Sequence, residues 1–120
     1  MKEQCSRIGL AGMTFLSALL WATPDSHAAT TNRWTNSVSG LWRVNTNWSA
    51  AALPSTSFDF ILITNAGTKT VTMDAATPAG NRSVRSLKVG APTGFTNTLL
   101  ITDVSGATPF STSKPLLVDR

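Results

Sequence analysis

The chain is poor in the side chains that carry most protein chemistry. It has no tyrosine, one cysteine (Cys5), one histidine (His27) and one glutamate (Glu3), and these three all precede Ala28. From Ala29 onward, therefore, neither a Cys/His zinc set nor a Ser–His or Cys–His nucleophile–base pair is available. A disulfide framework is excluded as well, because Cys5 has no second cysteine to join. Charge is also sparse, at 13% of residues. The net +4 comes from single basic residues such as Arg33, Arg43, Lys69, Arg82, Arg85, Lys88, Lys114 and Arg120. They form no stripe that would follow a phosphate backbone, so nucleic-acid binding is not expected.

What is abundant is Thr, Ser, Asn, Ala and Gly, a composition of exported β-rich proteins, in 120 residues that leave room for one domain. Residues 1–28 read as a secretory signal. Lys2 and Arg7 supply a positive start, Ile8 to Ala22 an uncharged and mostly apolar run too short for a comfortable membrane span, and Ser26-His27-Ala28 the small residues before a cleavage point. Cleavage is expected between Ala28 and Ala29. The alternative is an uncleaved membrane anchor with Trp21 at the interface. Cys5 precedes the apolar run, so it is not a lipid-attachment site.

Residues 29–57 hold Trp34, Trp42 and Trp48 among turn-forming Gly, Ser, Thr and Asn, and are expected to form a tryptophan-rich cap. Trp42 and Trp48 sit beside turn residues that fold them back, over Phe58 or Phe60. Trp34, next to Arg33 in the start of the mature chain, is expected to be the less buried. Residues 58–120 then change to short β-rich runs: 58–63 (FDFILI), 69–73 (KTVTM), 83–89 (SVRSLKV), 97–102 (NTLLIT) and 115–118 (PLLV). Turn signals separate them at 65–67, 78–81, 90–94 and 105–106. Alternation places Val71 and Met73, then Val84, Leu87 and Val89, inward, with Lys, Thr, Arg and Ser on a wet face. LITN at 62–65 and LITD at 100–103 form a weak internal repeat, and the offset from Leu62 to Leu100 would suit one or two coils of a β-helix. The closing apolar LLVDR, without a turn or polar cap, suggests that the stack is truncated there.

The order of these signals (Gly40, Trp42, Asn47-Trp48-Ser49, Pro54, Asp59, Ile61, Ile63, Thr70-Val71, Asp74, Ser86-Leu87 and Gly90) resembles the N-terminal entry of bacterial exported β-helix proteins. The likeness is to passenger-like proteins of the autotransporter-associated repeat type, including those with a Pro-Glu-Pro sorting signal. It covers roughly residues 34 to 104. The resemblance implies an all-β fold, the start of a right-handed parallel β-helix with its tryptophan cap, and a secreted, periplasmic or cell-surface location. It also implies continuation repeats in a parent protein. A small antiparallel β-sandwich is the alternative fold.

Function is expected to be structural or adhesive rather than enzymatic, with no cofactor or metal and with extracellular or cell-surface polysaccharide as a partner class. Two alternatives carry named residues. Trp34, Trp42 and Trp48 could form a stacking platform of a carbohydrate-binding module. Asp74 or Asp103 with Arg85 or Lys88 could supply the calcium ligand and the base of a polysaccharide-lyase-like enzyme, although strand-end Asp is more often a turn former. Gly90-Ala-Pro-Thr-Gly94 lacks the Gly-Lys-Ser/Thr ending of a phosphate loop and is expected to be a turn.

Overall fold

Gly, Pro and Asn cut the β-branched runs so often that every strand is short. A computed structural model describes residues 27–102, 104 and 109–119. Its strands are β1 (Thr31–Arg33), β2 (Gly40–Leu41), β3 (Phe60–Ile63), β4 (Lys69–Met73), β5 (Ser83–Val84), β6 (Leu87–Val89), β7 (Asn97–Ile101), β8 (Ser111–Thr112) and β9 (Leu117–Val118). The only helical elements among the described residues are two single 3-10 turns, Asn45–Asn47 and Ala79–Asn81. The protein is all-β. The expected signal segment lies outside the described residues, apart from His27 and Ala28, which with Ala29 are exposed and have no regular structure.

Among the described residues three sheets form, in the orders β1-β3-β6-β9, β2-β4-β7 and β5-β8. Every pairing between these strands is parallel. The one antiparallel contact among the described residues is an isolated bridge between Trp34 and Trp48. From β3 the chain passes to β4, then to β5, and returns with β6 beside β3; β7, β8 and β9 repeat that path. The antiparallel sandwich is thus not what forms. Parallel neighbours need a long crossover, and no tight hairpin joins any pair here.

Register corrects the expected repeat. Ile61 lies beside Leu87, and Leu100 lies beside Thr72. Ser83 lies beside Ser111, 28 residues further along. One circuit is therefore shorter than the offset from Leu62 to Leu100, and the match of LITN with LITD relates segments from different sheets, β3 and β7. Thr, Leu and Ile satisfy any half-buried strand, so short matches recur out of register.

The run 83–89 is likewise two strands, not one. Val84 and Leu87 are both buried although an odd number of positions separates them, a spacing that no straight strand of period two allows. The chain turns a corner at Arg85-Ser86, and β5 and β6 join different sheets. Ile61, Ile63, Val71, Met73, Val84, Leu87 and Val89 point into one core together with the three tryptophans. Phe58 packs against that core, whereas Phe60 faces outward beneath Lys114.

Residues 29–57 are more than a lid. β1 and β2 are the first strands of two of the sheets, and the stretch after them carries the 3-10 turn Asn45–Asn47 and the buried Trp48 and Pro54. Asn32, in the middle of β1, is fully buried and holds that later stretch, giving its Nδ2 hydrogen to the Ala52 carbonyl (2.8 Å) while its Oδ1 accepts from the Ala50 amide (3.1 Å). Pro54, in the same stretch, is also buried, and its carbonyl accepts from Asn81 Nδ2 at 2.9 Å.

Candidate functional site

Each indole of the tryptophan cluster is placed by a backbone element. The Trp34 amide follows β1 and donates to the Leu62 carbonyl, and the Trp42 amide follows β2 and donates to Thr72, both at 2.8 Å. Trp48 ends the 3-10 turn Asn45–Asn47. The rings meet edge to face, with centroids 5.2 Å apart for Trp34 and Trp48 and 5.0 Å for Trp42 and Trp48, a geometry that suits their quadrupoles. Phe110 adds a further edge contact to Trp42, at 6.1 Å. Trp48 Nε1 donates to the Trp42 carbonyl (2.8 Å) and Trp42 Nε1 to the Asn81 carbonyl (2.9 Å). Trp34 Nε1 is buried with no partner among the described residues.

Trp34 and Trp48 are each 2% exposed and Trp42 is 0%. The expected ranking of Trp34 as less buried than Trp48 is therefore corrected. Trp34 does not fray, because β1 is held along its length by β3 and the ring is clamped by Trp48. Among the described residues, Trp34, Trp42 and Trp48, the indoles expected to stack on a sugar, are all buried in the core.

The charged residues singled out in the sequence are dispersed into separate pairs. Asp74 faces Arg43, whose Nε donates to both carboxylate oxygens at 3.1 Å. Partial desolvation pushes the Asp74 pKa up, but the Arg43 and Thr77 donors outweigh it and hold the group below the ordinary carboxylate value. Asp59 accepts the Thr30 amide (2.8 Å) and Arg85 Nη1 (2.9 Å). The Thr30 amide is the main reason its pKa is lowered, against partial desolvation and with help from the Thr30 hydroxyl and Arg85. Lys88 pairs with Asp119 at 3.0 Å. Neither Arg85 nor Lys88 thus pairs with Asp74, and Asp103 lies outside the described residues. No group of three His, Cys, Asp or Glu that could hold a metal occurs among the described residues.

The alternation pattern misses a polar corner. Lys69 shares parity with Val71 and Met73 and is 2% exposed, not on the wet face. Its ammonium donates to the carbonyls of Asn65, Ala66 and Gly67 at 2.8 to 2.9 Å. Burial lowers the Lys69 pKa below the ordinary lysine value. The turn closes tightly because Gly67 sits at φ +98°, where an added Cβ would strike the Ser37 carbonyl. Asn97, the register partner of Lys69, donates to the Asn65 and Gly90 carbonyls, and Asn65 donates to the Asn36 carbonyl. The available signal is parity: a lysine at an inward position, shortly after a turn-forming Asn.

The two ends of the core differ. At the first strands the inward positions are covered, as for Asn32, Trp34 and Trp42. At the last strands they are not. Val118 stands in register with Val89 and is 67% exposed; Ile101 stands in register with the buried Met73 and is 39% exposed. With Leu99, Phe110 and Leu116 they line a hollow of about 320 Å³. Phe95 extends the same face across a neighbouring hollow that it shares with Val118.

No match to this chain is found among protein families, curated proteins or solved structures. Among the described residues no helix is long and apolar enough to cross a membrane.

Proposed function

We propose that the chain is a non-catalytic structural or adhesive module of a secreted or cell-surface protein. We infer its architecture to be a short right-handed parallel β-helix that starts at the tryptophan cluster. The observation that carries this reading is the path of the chain, which passes through three sheets in a fixed order and returns with every strand parallel to its predecessor. Its polar side chains support the same reading. Asn97 and Asn65 tie one turn to the next, and Arg43–Asp74, Arg85–Asp59 and Lys88–Asp119 each link neighbouring turns of the path. Export through cleavage after Ala28, and kinship with autotransporter-associated β-helix proteins, belong to this proposal.

Two measurements test it. Spin labels at Thr70 and Thr98, register partners in β4 and β7, are expected to broaden each other strongly, at about the 4.8 Å strand spacing; an uncoupled pair overturns the architecture. Fractionation of the native host with N-terminal sequencing is expected to recover a chain beginning at Ala29 outside the cytoplasm. Turnover of an anionic polysaccharide by the purified protein overturns the non-catalytic role.

A further inference from the structure

Threonine recurs at every second residue along two neighbouring strands. On β4 and the residue before it stand Thr68, Thr70 and Thr72; on β7 and its flanks stand Thr96, Thr98 and Thr102, with Leu100 at the position between the last two. Residues two apart share one face of a strand. That face is the outer one, because Lys69, Val71 and Met73 are buried between the threonines and Leu99 packs against the core. The parallel register sets Thr70 beside Thr98 and Thr72 beside Leu100, with Leu41 of β2 on the other side of Thr72. It runs on at both ends. The Thr96 amide donates to the Thr68 hydroxyl oxygen at 3.2 Å, and the Thr102 amide to the Met73 carbonyl at 3.0 Å.

We propose that this threonine face binds ice. Positions on it repeat about 4.8 Å apart across the strands and about 6.6 Å apart along them, and both spacings come near oxygen repeats of the hexagonal ice lattice. Parallel pairing is what makes the lattice even, since opposed residues in an antiparallel sheet alternate between a near and a far separation. Threonine is β-branched and stiff at χ1, so its hydroxyl and methyl groups are largely fixed before contact and little entropy is lost on docking. One hydroxyl that exchanges liquid water for ice gains almost nothing. Several held on one rigid lattice engage together.

Charge agrees with such a partner. An ice plane carries no net charge, and Lys69, the one charged residue within 68–72 and 96–102, is turned into the core. At the border Arg43 and Asp74 neutralise each other at 3.1 Å. Neither segment holds an aromatic ring, which sets the face apart from a sugar-stacking platform. The face looks sideways from the stack, so a further circuit would widen it without covering it. This inference goes beyond the structural role proposed above and rests on its parallel register.

Osmometry on single ice crystals and an ice-recrystallisation assay of the purified protein test the proposal. Ice growth is expected to be held below the melting point, with faceted crystals. Thr70→Lys and Thr98→Lys each set a charge in the middle of the face and should abolish both effects. Thr56→Lys, at an exposed threonine on the loop before β3, should leave them unchanged. Near-ultraviolet dichroism of the tryptophans checks that every variant is folded. A protein without effect on ice, activity indifferent to Thr70→Lys and Thr98→Lys, or equal loss in Thr56→Lys each overturns the proposal. So does retention on crystalline cellulose or chitin without ice activity, which assigns the face to a neutral polysaccharide. The Thr70–Thr98 spin-label pair reports separately on the β-helix reading: a coupled pair without ice activity sinks this inference alone.

Discussion

Replacing Lys69 with methionine removes one ammonium and three hydrogen bonds while keeping a stem of similar length in the same slot. Each bond from a charged donor contributes about 1.5 to 3 kcal/mol, against a desolvation penalty of several kcal/mol for holding the ion inside. The three carbonyls belong to a turn whose residues are exposed or half-buried, so water recovers part of what they lose. The expected net loss is about 2 kcal/mol, a large share of the roughly 5 to 15 kcal/mol that stabilises a domain. That corresponds to a fall of roughly 10 °C in Tm for a folded unit of this size. Urea and thermal melts followed by tryptophan fluorescence measure it. The pH dependence supplies a second readout. Burial places the folded-state pKa of Lys69 below the ordinary 10.5, so between the two values the unfolded chain binds more protons. Stability should therefore rise as pH climbs through that window, and Lys69→Met should lack the rise. A variant as stable as the parent, or more stable, refutes the idea that Lys69 staples the turn. It would show instead a buried charge that the fold merely tolerates.

Trp48→Ala empties a buried indole site between two other rings and should destabilise by about 3 to 5 kcal/mol, read by the same melts; a change under about 1 kcal/mol contradicts the cluster's structural role. Gly67→Ala forces a side chain onto the Ser37 carbonyl at φ +98° and should cost about 1 to 3 kcal/mol, with hydrogen exchange rising first around residues 36–39 and 65–69. Acid should weaken the fold through Asp59 and Asp74. Their pKa values are lowered in the folded protein from the ordinary 3.8, so their contribution is present above that value and is lost as pH falls through the lowered ones. Asp59→Asn and Asp74→Asn together should flatten that part of the acid denaturation profile.

Much of this arrangement is readable from residues alone, and the failures have identifiable causes. The strand 69–73 has the limits its alternation gives, and the turn at 65–67 closes where Asn and Gly mark it, because those signals depend on neighbours in sequence. Burial of Trp42 and Trp48 is legible for the same reason: few other large apolar groups lie nearby. Lys69 is misplaced when composition outvotes parity, and a lysine goes inside only when carbonyls converge on it, which no local pattern reveals. The run 83–89 hides a corner in Arg85 and Ser86, which look like ordinary strand. Nearness to an expected chain start argues for an exposed Trp34, whereas its burial depends on β3, a full circuit further along. Pairings such as Arg85 with Asp59, 26 residues apart, come only from the return path of the chain.

That return path also sets how the chain can assemble in time. No ladder in the three sheets joins neighbours in sequence; each closes a loop as long as a whole circuit. The bridge from Trp34 to Trp48 closes a loop only about half as long. Halving the loop saves about 0.6 kcal/mol of closure entropy, and the shorter loop also brings together the largest apolar side chains. The tryptophan end is therefore the cheapest place to begin, and each completed circuit becomes the template on which the next must be laid. Folding should run as a slow, directional process from the closed end towards β9. In stopped-flow refolding, tryptophan burial is expected to precede protection of the β6 and β7 amides, and the reverse order would point to a nucleus elsewhere.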